Sequence, residues 1–370
     1  MRFPGFSGEW ESSNLGEIAR ISKGVGISKD QRTNDGNPCI LYGELYTTYS
    51  TEIIDEIVSK TNLPAKGLVK SVANDVIIPA SGETAIDIST ARCVTKSDVF
   101  LGGDLNIIRL KGHDGKFFSY QLNGVRKKDI AKVAQGVSIV HLHGSDLETV
   151  RVCYPSRREQ EKISGLLSLI DQRIAIQNRV IERYESLIKA LYQKIMSLFQ
   201  GVSTPLGEIV QIQKGKQINS EFLSTKGKYY VMNGGIAPSG YYHQFNTEAN
   251  TISISEGGNS CGYVQYNAGP YWSGGHCYSL LCPKDIVDYR FLYHYLKYRQ
   301  DDIMALRIGS GLPNIQKKDI ERFLIILPSI DVQKKLASFF DEVSSRYSLA
   351  GQEKAYYEKL KAYLVFNMFI

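Results

Sequence analysis

The chain has no apolar run approaching the ~20 residues needed to span a bilayer, so no membrane-spanning segment is expected. Its opening, Met1 to Trp10, carries no apolar stretch that would serve as a secretion signal. Cysteine is sparse: Cys39, Cys93, Cys153, Cys261, Cys277 and Cys282 form no CxxC pair and match no zinc-ligand spacing. Reduced, buried thiols in a cytoplasmic protein are the expectation. His141 and His143 sit two apart on one strand face, without the second ligand pair that a metal site needs. Catalytic signatures are also missing. Gly115-Lys116, Gly215-Lys216 and Gly227-Lys228 lack the upstream glycine of a phosphate-binding loop. Gly24-Val25-Gly26 and Gly309-Ser310-Gly311 lack the third glycine of a dinucleotide fingerprint. There is no GxSxG elbow, no HExxH and no Asn-Pro-Pro or Asp-Pro-Pro segment. These exclusions leave a binding protein as the expectation, with no catalytic, cofactor or metal residues of its own.

What the sequence does contain is a repeat. Leu15-Gly16-Glu17-Ile18-Ala19-Arg20-Ile21-Ser22-Lys23-Gly24 recurs as Leu206-Gly207-Glu208-Ile209-Val210-Gln211-Ile212-Gln213-Lys214-Gly215, identical at seven of ten positions. Gly102-Gly103-Asp104 and Gly274-Gly275-His276 correspond further on, as do Asp146-Leu147-Glu148 and Asp319-Ile320-Glu321. Pro155-Ser156 with Gln160 then matches Pro328-Ser329 with Gln333. The offset falls from 191 to 173 along the way, so the second half is shorter through its middle.

Each half opens with a globular region of strand-like runs, among them Val76-Ile77-Ile78, Asn106-Ile107-Ile108, Ile252-Ser253-Ile254 and Leu324-Ile325-Ile326, divided by turn signals such as Asn34-Asp35-Gly36. Each half closes with a long helix. The first begins at Ser156-Arg157-Arg158-Glu159, which has the spacing of a capping box, and is expected to stop at Gln200-Gly201. Ile163, Leu167, Ile170, Ile174, Gln177, Ile181, Tyr184, Ile188, Leu191, Ile195 and Leu198 step by four and three, the rhythm of a coiled-coil seam. In the second helix, from about Asp331 to Phe369, Leu336, Phe340, Val343, Tyr347 and Ala350 keep that rhythm. It is expected to stutter at Gly351 and Lys354 and to resume in a shifted phase through Tyr357, Leu360, Leu364 and Met368.

The expected fold class is therefore α+β: two globular domains separated by a long antiparallel two-helix coiled coil, with a pseudo-twofold internal repeat. The boundaries are 1–154 and 201–327 for the globes, 155–200 and 328–370 for the helices. With Ile163 at position d, Leu166, Val180 and Leu187 fall at g and Leu169 and Ile176 at c. Apolar residues beside the seam point to partner helices docking there.

Net charge is +6 over 370 residues, which permits a polyanionic partner. Candidate phosphate contacts are Lys23, Lys29, Arg32 and Lys127 in the first globe and Lys214, Lys216 and Lys317 in the second, with Tyr42 and Tyr242 among the interleaved aromatics. Base reading falls to loop side chains such as Ser81, Glu83, Asn233, Asn259 and Asn314.

With these parts in order, the chain resembles the type I restriction–modification specificity subunits. The opening Phe3-Pro4-Gly5-Phe6-Ser7-Gly8-Glu9-Trp10 followed by Leu15-Gly16-Glu17-Ile18 is similar to the start of that family. So are the exits Pro155-Ser156-Arg157-Arg158-Glu159-Gln160 and Pro328-Ser329-Ile330-Asp331-Val332-Gln333, and the glycine-rich Gln135-Gly136-Val137-Ser138 and Gly309-Ser310-Gly311-Leu312-Pro313-Asn314 before them. The second exit departs from the pattern, with Asp331-Val332-Gln333 where Glu-Gln is commoner. The resemblance implies two target-recognition domains, each reading half of a split site in double-stranded DNA. It implies helices that act as a ruler and hold two methyltransferase subunits, through which restriction and translocase subunits join. AdoMet, ATP and magnesium then belong to the partners. A single-chain DNA methyltransferase with a divergent site, and a scaffold whose globes bind protein, are the alternatives left by the residues alone.

Overall fold

The computed structural model describes residues 2–136, 138–198, 202–309 and 311–369. The expected glycine stop at Gln200-Gly201 lies outside the described residues, as do Val137 and Ser310 of the two glycine-rich segments. The chain divides into two compact units, Met1–Arg179 with Gly351–Ile370, and Val180–Ala350. Both mix strands and helices, and each takes in part of both long helices. No described helix is long and apolar enough to cross a membrane.

In the first unit the central sheet runs, in hydrogen-bonded order, Ala19–Lys23, Leu105–Leu110, Asp75–Pro79, Arg92–Val94 and Ile53–Ile54. Its middle strand reads as an unbroken apolar run because both faces are covered. Val76 and Ile78 point with Ile108 into a core built on Phe117, Phe118 and Tyr120. Ile77 points the other way, with Leu105 and Ile107, into a core that includes Ile40, Leu45 and Leu101. Side chains alternate along a strand, so burial on both sides favours apolar residues at Val76, Ile77 and Ile78, while buried Asp75 at the strand's start is held by Arg109 at 2.7 Å. A second sheet joins Arg32–Thr33, Ser59–Thr61, Asn37–Ile40, Phe100–Leu101 and Val69–Lys70.

The second unit repeats the plan in smaller form: Gln211–Lys214, Cys277–Leu281, Thr251–Ser255 and Val264–Asn267 make its central sheet, and Gly240–Tyr242, Tyr229–Met232 and Trp272–Ser273 a three-stranded one. The missing fifth strand and the smaller second sheet account for the shorter middle seen in the repeat. In both units the chain enters and leaves on one antiparallel ribbon, Glu11–Asn14 with Arg151–Tyr154 and Val202–Pro205 with Leu324–Leu327. The repeated glycines also meet each other. A Cβ on Gly24 would lie 2.0 Å from the Gly102 carbonyl oxygen, and one on Gly215 2.3 Å from that of Gly274.

The six cysteines are free of disulfides. Burial pushes the Cys39 and Cys277 thiols up to about 11, which keeps both protonated at neutral pH.

The long helices span Arg157–Ser197 and Ile330–Met368. Within each unit they run antiparallel. In the first, Gln177 donates to Glu353 at 2.6 Å and Asp171 meets Lys361 at 2.7 Å, while Leu364 and Met368 share a core with Ile163 and Leu167. In the second, Tyr347 donates to Glu185 at 2.8 Å and Tyr192 stacks on Phe340 at 4.0 Å.

Three sequence expectations for these helices are corrected. The rhythm of the second helix does not break: Lys354, Tyr357, Lys361, Leu364 and Met368 continue the four–three steps from Ala350 in unchanged phase and are all shielded. Two of those seam positions hold lysine, which buries its stem and keeps its charge paired, so the apolar pattern alone reads as a stutter. In the first helix the seam passes to Tyr192 in place of Leu191, and Leu198 is 72% exposed. The capping box is not formed among the described residues. Ser156 offers its carbonyl to the Glu159 and Gln160 N–H groups, while the Glu159 carboxylate turns to Arg2 at 2.9 Å.

One glutamine fastens each globe to its exit helix. The Gln160 carbonyl accepts from the Asp114 N–H at 2.9 Å, and its amide donates to the Pro155 carbonyl at 2.8 Å and meets His113 Nδ1 at 3.1 Å. The Gln333 carbonyl accepts from the Asp288 N–H at 2.8 Å, and its amide donates to the Pro328 and Ile286 carbonyls at 2.8 and 3.1 Å. Asp114 and Asp288 themselves cap the domain helices Gly115–Asn123 and Tyr289–Tyr298.

A polar knot adds to this join in the second unit. Buried His294 places Nε2 at 2.7 Å from Asp341 and Nδ1 at 2.7 Å from the Tyr192 hydroxyl, while Arg290 pairs with the same carboxylate. Burial holds the His294 imidazole below its ordinary pKa despite the pull of Asp341. An unfolded chain takes up that proton near pH 6.5 while the folded unit resists it, so this contribution to stability falls as pH drops through that region. Acidification from about pH 7.5 to about 5.5 is expected to lower the unfolding temperature of the wild type more than that of His294→Gln. Equal shifts in a thermal-unfolding series would remove His294 as the cause.

Candidate nucleic-acid interface

Strand register sets Lys23 and Lys214, and the loops that follow the neighbouring strands, at matching places on a rim of each unit. Lys23 lies opposite Asn106, which lies opposite Ile78. Lys214 lies opposite Tyr278, which lies opposite Ile254. One step beyond the strand ends, Ala80 and Glu256 correspond: each offers its carbonyl to an N–H, of Leu142 and Ile315 respectively, at 2.9 Å. The following loops then align as Ser81-Gly82-Glu83 with Gly257-Gly258-Asn259. His141 pairs with Ser81 as Asn314 pairs with Gly257. The turn Gly102-Gly103-Asp104 occupies the place of Gly274-Gly275-His276. Little of this rim is alike in sequence beyond lysine and glycine, although its backbone is.

In the first unit a groove of about 790 Å³ opens beside the rim, and Lys29, Arg32, Tyr42, Tyr46 and Asp104 are among its lining. Tyr42 and Tyr46 are exposed there. Buried Glu44 braces the groove: it accepts from the Leu41 N–H at 2.9 Å and from the Ser59 hydroxyl, and it pairs with Arg32 at 3.5 Å. Burial, then Tyr42 and the charges of Glu83 and Asp87, raise the Tyr46 phenol pKa. Lys23 and Lys29 are exposed, and Ser81 is half-buried. His141 and His143 are both exposed with near-parallel rings 6.4 Å apart. Among the described residues no group of three His, Cys, Asp or Glu is arranged to hold a metal.

In the second unit Glu256 is 8% exposed and gathers the rim. Lys214 Nζ lies 2.6 Å from its Oε1, the Tyr278 hydroxyl donates to the same oxygen at 2.9 Å, and His276 Nδ1 stands 3.4 Å from Oε2. Asn233 accepts from the His276 N–H at 3.1 Å, so it shapes the turn. Tyr242 packs edge-on against Trp272 at 5.1 Å, whose indole donates to the Lys216 carbonyl at 2.9 Å. Lys216, Asn259 and Asn314 are exposed.

Two candidates lie off these rims. Lys317 pairs with Glu321 at 3.4 Å and borders a shallow pocket with Glu208 and Cys282. Lys127 is half-buried, and burial followed by the Arg92 charge depresses its pKa. The Glu256 cluster was not read from the sequence. The lysine at the end of the repeated segment was its one visible member, and its carboxylate comes from a strand that register alone brings alongside.

Of the helix-borne candidates, Leu169 and Ile176 stand 60% and 42% exposed in the first unit, and Leu187 stands 47% exposed in the second. Val180 is half-buried. Leu166 packs partly into the first core, so it is the least available of the five. Tyr356 and Tyr363 of the second helix, one heptad apart and exposed, were not anticipated.

The family model described as the Type I restriction modification DNA specificity domain matches the chain twice, over residues 7–185 and 202–356. A protein of Mycoplasma pneumoniae named as a type I specificity subunit is 39% identical over 142 residues, 37% of each chain. A counterpart so named in Mycoplasma genitalium is 29% identical over 229 residues, 58% of this chain and 60% of the relative. These matches thus span 37% and 60% of the two relatives' lengths. The MjaVIII type I specificity subunit of Methanocaldococcus jannaschii is 22% identical over 407 aligned positions, 95% of this chain and 90% of that one. In shape, the S subunit of a type I restriction-modification system from M. genitalium aligns with a TM-score of 0.78 at 21% identity, over 100% of this chain and 99% of that one.

Proposed function

Since this chain belongs to the type I restriction–modification DNA specificity family, we propose that each unit reads one half of a split site in double-stranded DNA and that the long helices hold two methyltransferase subunits. One observation carries the reading of DNA: two rims of different sequence, built on the same register, each with an end-of-strand lysine and polar loop side chains. Exposed lysines supply affinity for phosphates, and the loops supply discrimination among bases. For the helices, each unit has its own apolar pair seven residues apart, Leu169 with Ile176 and Val180 with Leu187, which suits one partner subunit per unit. The chain takes no catalytic part in this reading. AdoMet, ATP and magnesium reside on the methyltransferase and on restriction and translocase subunits that join through it, in the cytoplasm. AdoMet uptake by the isolated chain would favour an enzyme instead.

Lys23→Ala and Lys216→Ala test the rims. Each is expected to weaken binding of the assembled complex about equally on matched and unmatched duplexes and to lower the salt slope by about one. Titrations at several salt concentrations measure it, and unchanged slopes in both variants would place the interface elsewhere.

A further inference from the structure

We infer that Glu256 is a positioning residue for base recognition: it neutralises and fixes Lys214 so that this lysine reads a base edge in the second half-site instead of gripping a phosphate. The inference rests on the proposed DNA-reading role of the rim. A free lysine is a mobile point charge that suits any phosphate. Lys214 is not free. Its ammonium lies 2.6 Å from a carboxylate that is itself held by the Tyr278 hydroxyl at 2.9 Å, so one of its three donors is committed and its position is set. The pair has no net charge, which removes most of its pull on the DNA backbone. Directional donors remain, and in the major groove the matching acceptors are guanine O6 and N7. Among the described residues Glu256 Oε2 has no hydrogen-bond partner and is buried, with His276 Nδ1 3.4 Å away, so a small closure of His276 would lock a second rim side chain. The first unit has Ala80 at the place of Glu256, and among the described residues Lys23 has no carboxylate beside it. The two rims thus use their equivalent lysines differently.

The test uses the chain assembled with its methyltransferase partner and a randomised duplex library, with the cognate motif defined beforehand from methylated adenines. Glu256→Gln keeps the size and an acceptor for Tyr278 but removes the charge. It is expected to lower discrimination at one or two positions of the second half-site about tenfold, with the first half-site unaffected. It is also expected to raise affinity for unrelated DNA and to steepen the salt slope by about one. A purely structural residue would not strengthen non-specific binding. Lys214→Met is expected to lose the same discrimination without steepening the slope, and combining the two changes to add little to either alone. Tyr278→Phe, which frees the carboxylate but keeps its charge, is expected to lose part of the discrimination with the slope unchanged, and thermal unfolding of each variant is the folding control. Intact discrimination in Glu256→Gln, or equal loss at both half-sites, would overturn the inference. If Lys23→Ala and Lys216→Ala also leave binding untouched, the rim reading falls with it. If they weaken binding as expected, only the role of Glu256 is lost.

Discussion

A chain carrying Val180→Glu and Leu187→Glu is expected to stay folded yet fail to hold a methyltransferase subunit, with affinity down at least about 100-fold. Val180 is half-buried, Leu187 is 47% exposed and neither belongs to the second unit's core cluster, so the longer glutamate side chains can turn their charges toward water in the free chain. At an interface the same charges would be buried without partners, which costs several times more than losing the apolar contact. Co-purification and titration of the partner read the effect, with thermal unfolding as the control. Full assembly of this variant would exclude the g-position row as the docking surface in the second unit. The analogous pair Leu169 and Ile176 then becomes the informative comparison, because each unit is expected to bind its own partner.

Lys361→Met should unfold the first unit much more readily, by about 3–5 kcal/mol. The Lys361 ammonium lies 2.6 Å from Glu52 and 2.7 Å from Asp171, and the Tyr120 hydroxyl donates to Asp171 at 2.6 Å. Burial works to lower the lysine pKa, but the two carboxylates outweigh it and raise it. Its contribution is therefore fully present below the unfolded value near pH 10.4 and is lost only above it. Removing the lysine leaves two shielded carboxylates without a cation. Urea unfolding near neutral pH measures the loss, and adding Glu52→Gln and Asp171→Asn should restore a large part. A loss below about 1 kcal/mol would mean that water already screens the cluster.

Much of this architecture can be read from periodicity and repetition. The four–three steps from Ile163 to Ile188 name the seam, and the repeated Leu-Gly-Glu-Ile segments mark equivalent one-turn helices, Leu15–Ile18 and Leu206–Ile209. Polar contributions were harder to see. Lys354 and Lys361 broke the apolar pattern because a long side chain can bury its stem, and no hydropathy rule reports where its amine will pair. Tyr192 escaped for a related reason: its place in the seam depends on stacking with Phe340 and a bond to His294, residues more than a hundred positions away. On the rim, Lys214 was visible as a charge, but its partner Glu256 is brought beside it only by sheet register. Candidate residues chosen by type therefore included Lys127 and Lys317, which the fold turns elsewhere.

The glutamine fastenings have a consequence for how such a chain can change over time. Among the described residues, and apart from one ring nitrogen of His113, Gln160 and Gln333 grip only main-chain N–H and carbonyl groups at the globes they hold. A main-chain grip is indifferent to which side chains the globe carries. New loops away from the junction can therefore be fitted without disturbing these two fastenings, while a whole replacement domain would also have to keep the side-chain ties, such as His294 to Asp341 and Tyr120 to Asp171. The selectivity of the protein is thereby free to drift while its attachment points stay fixed.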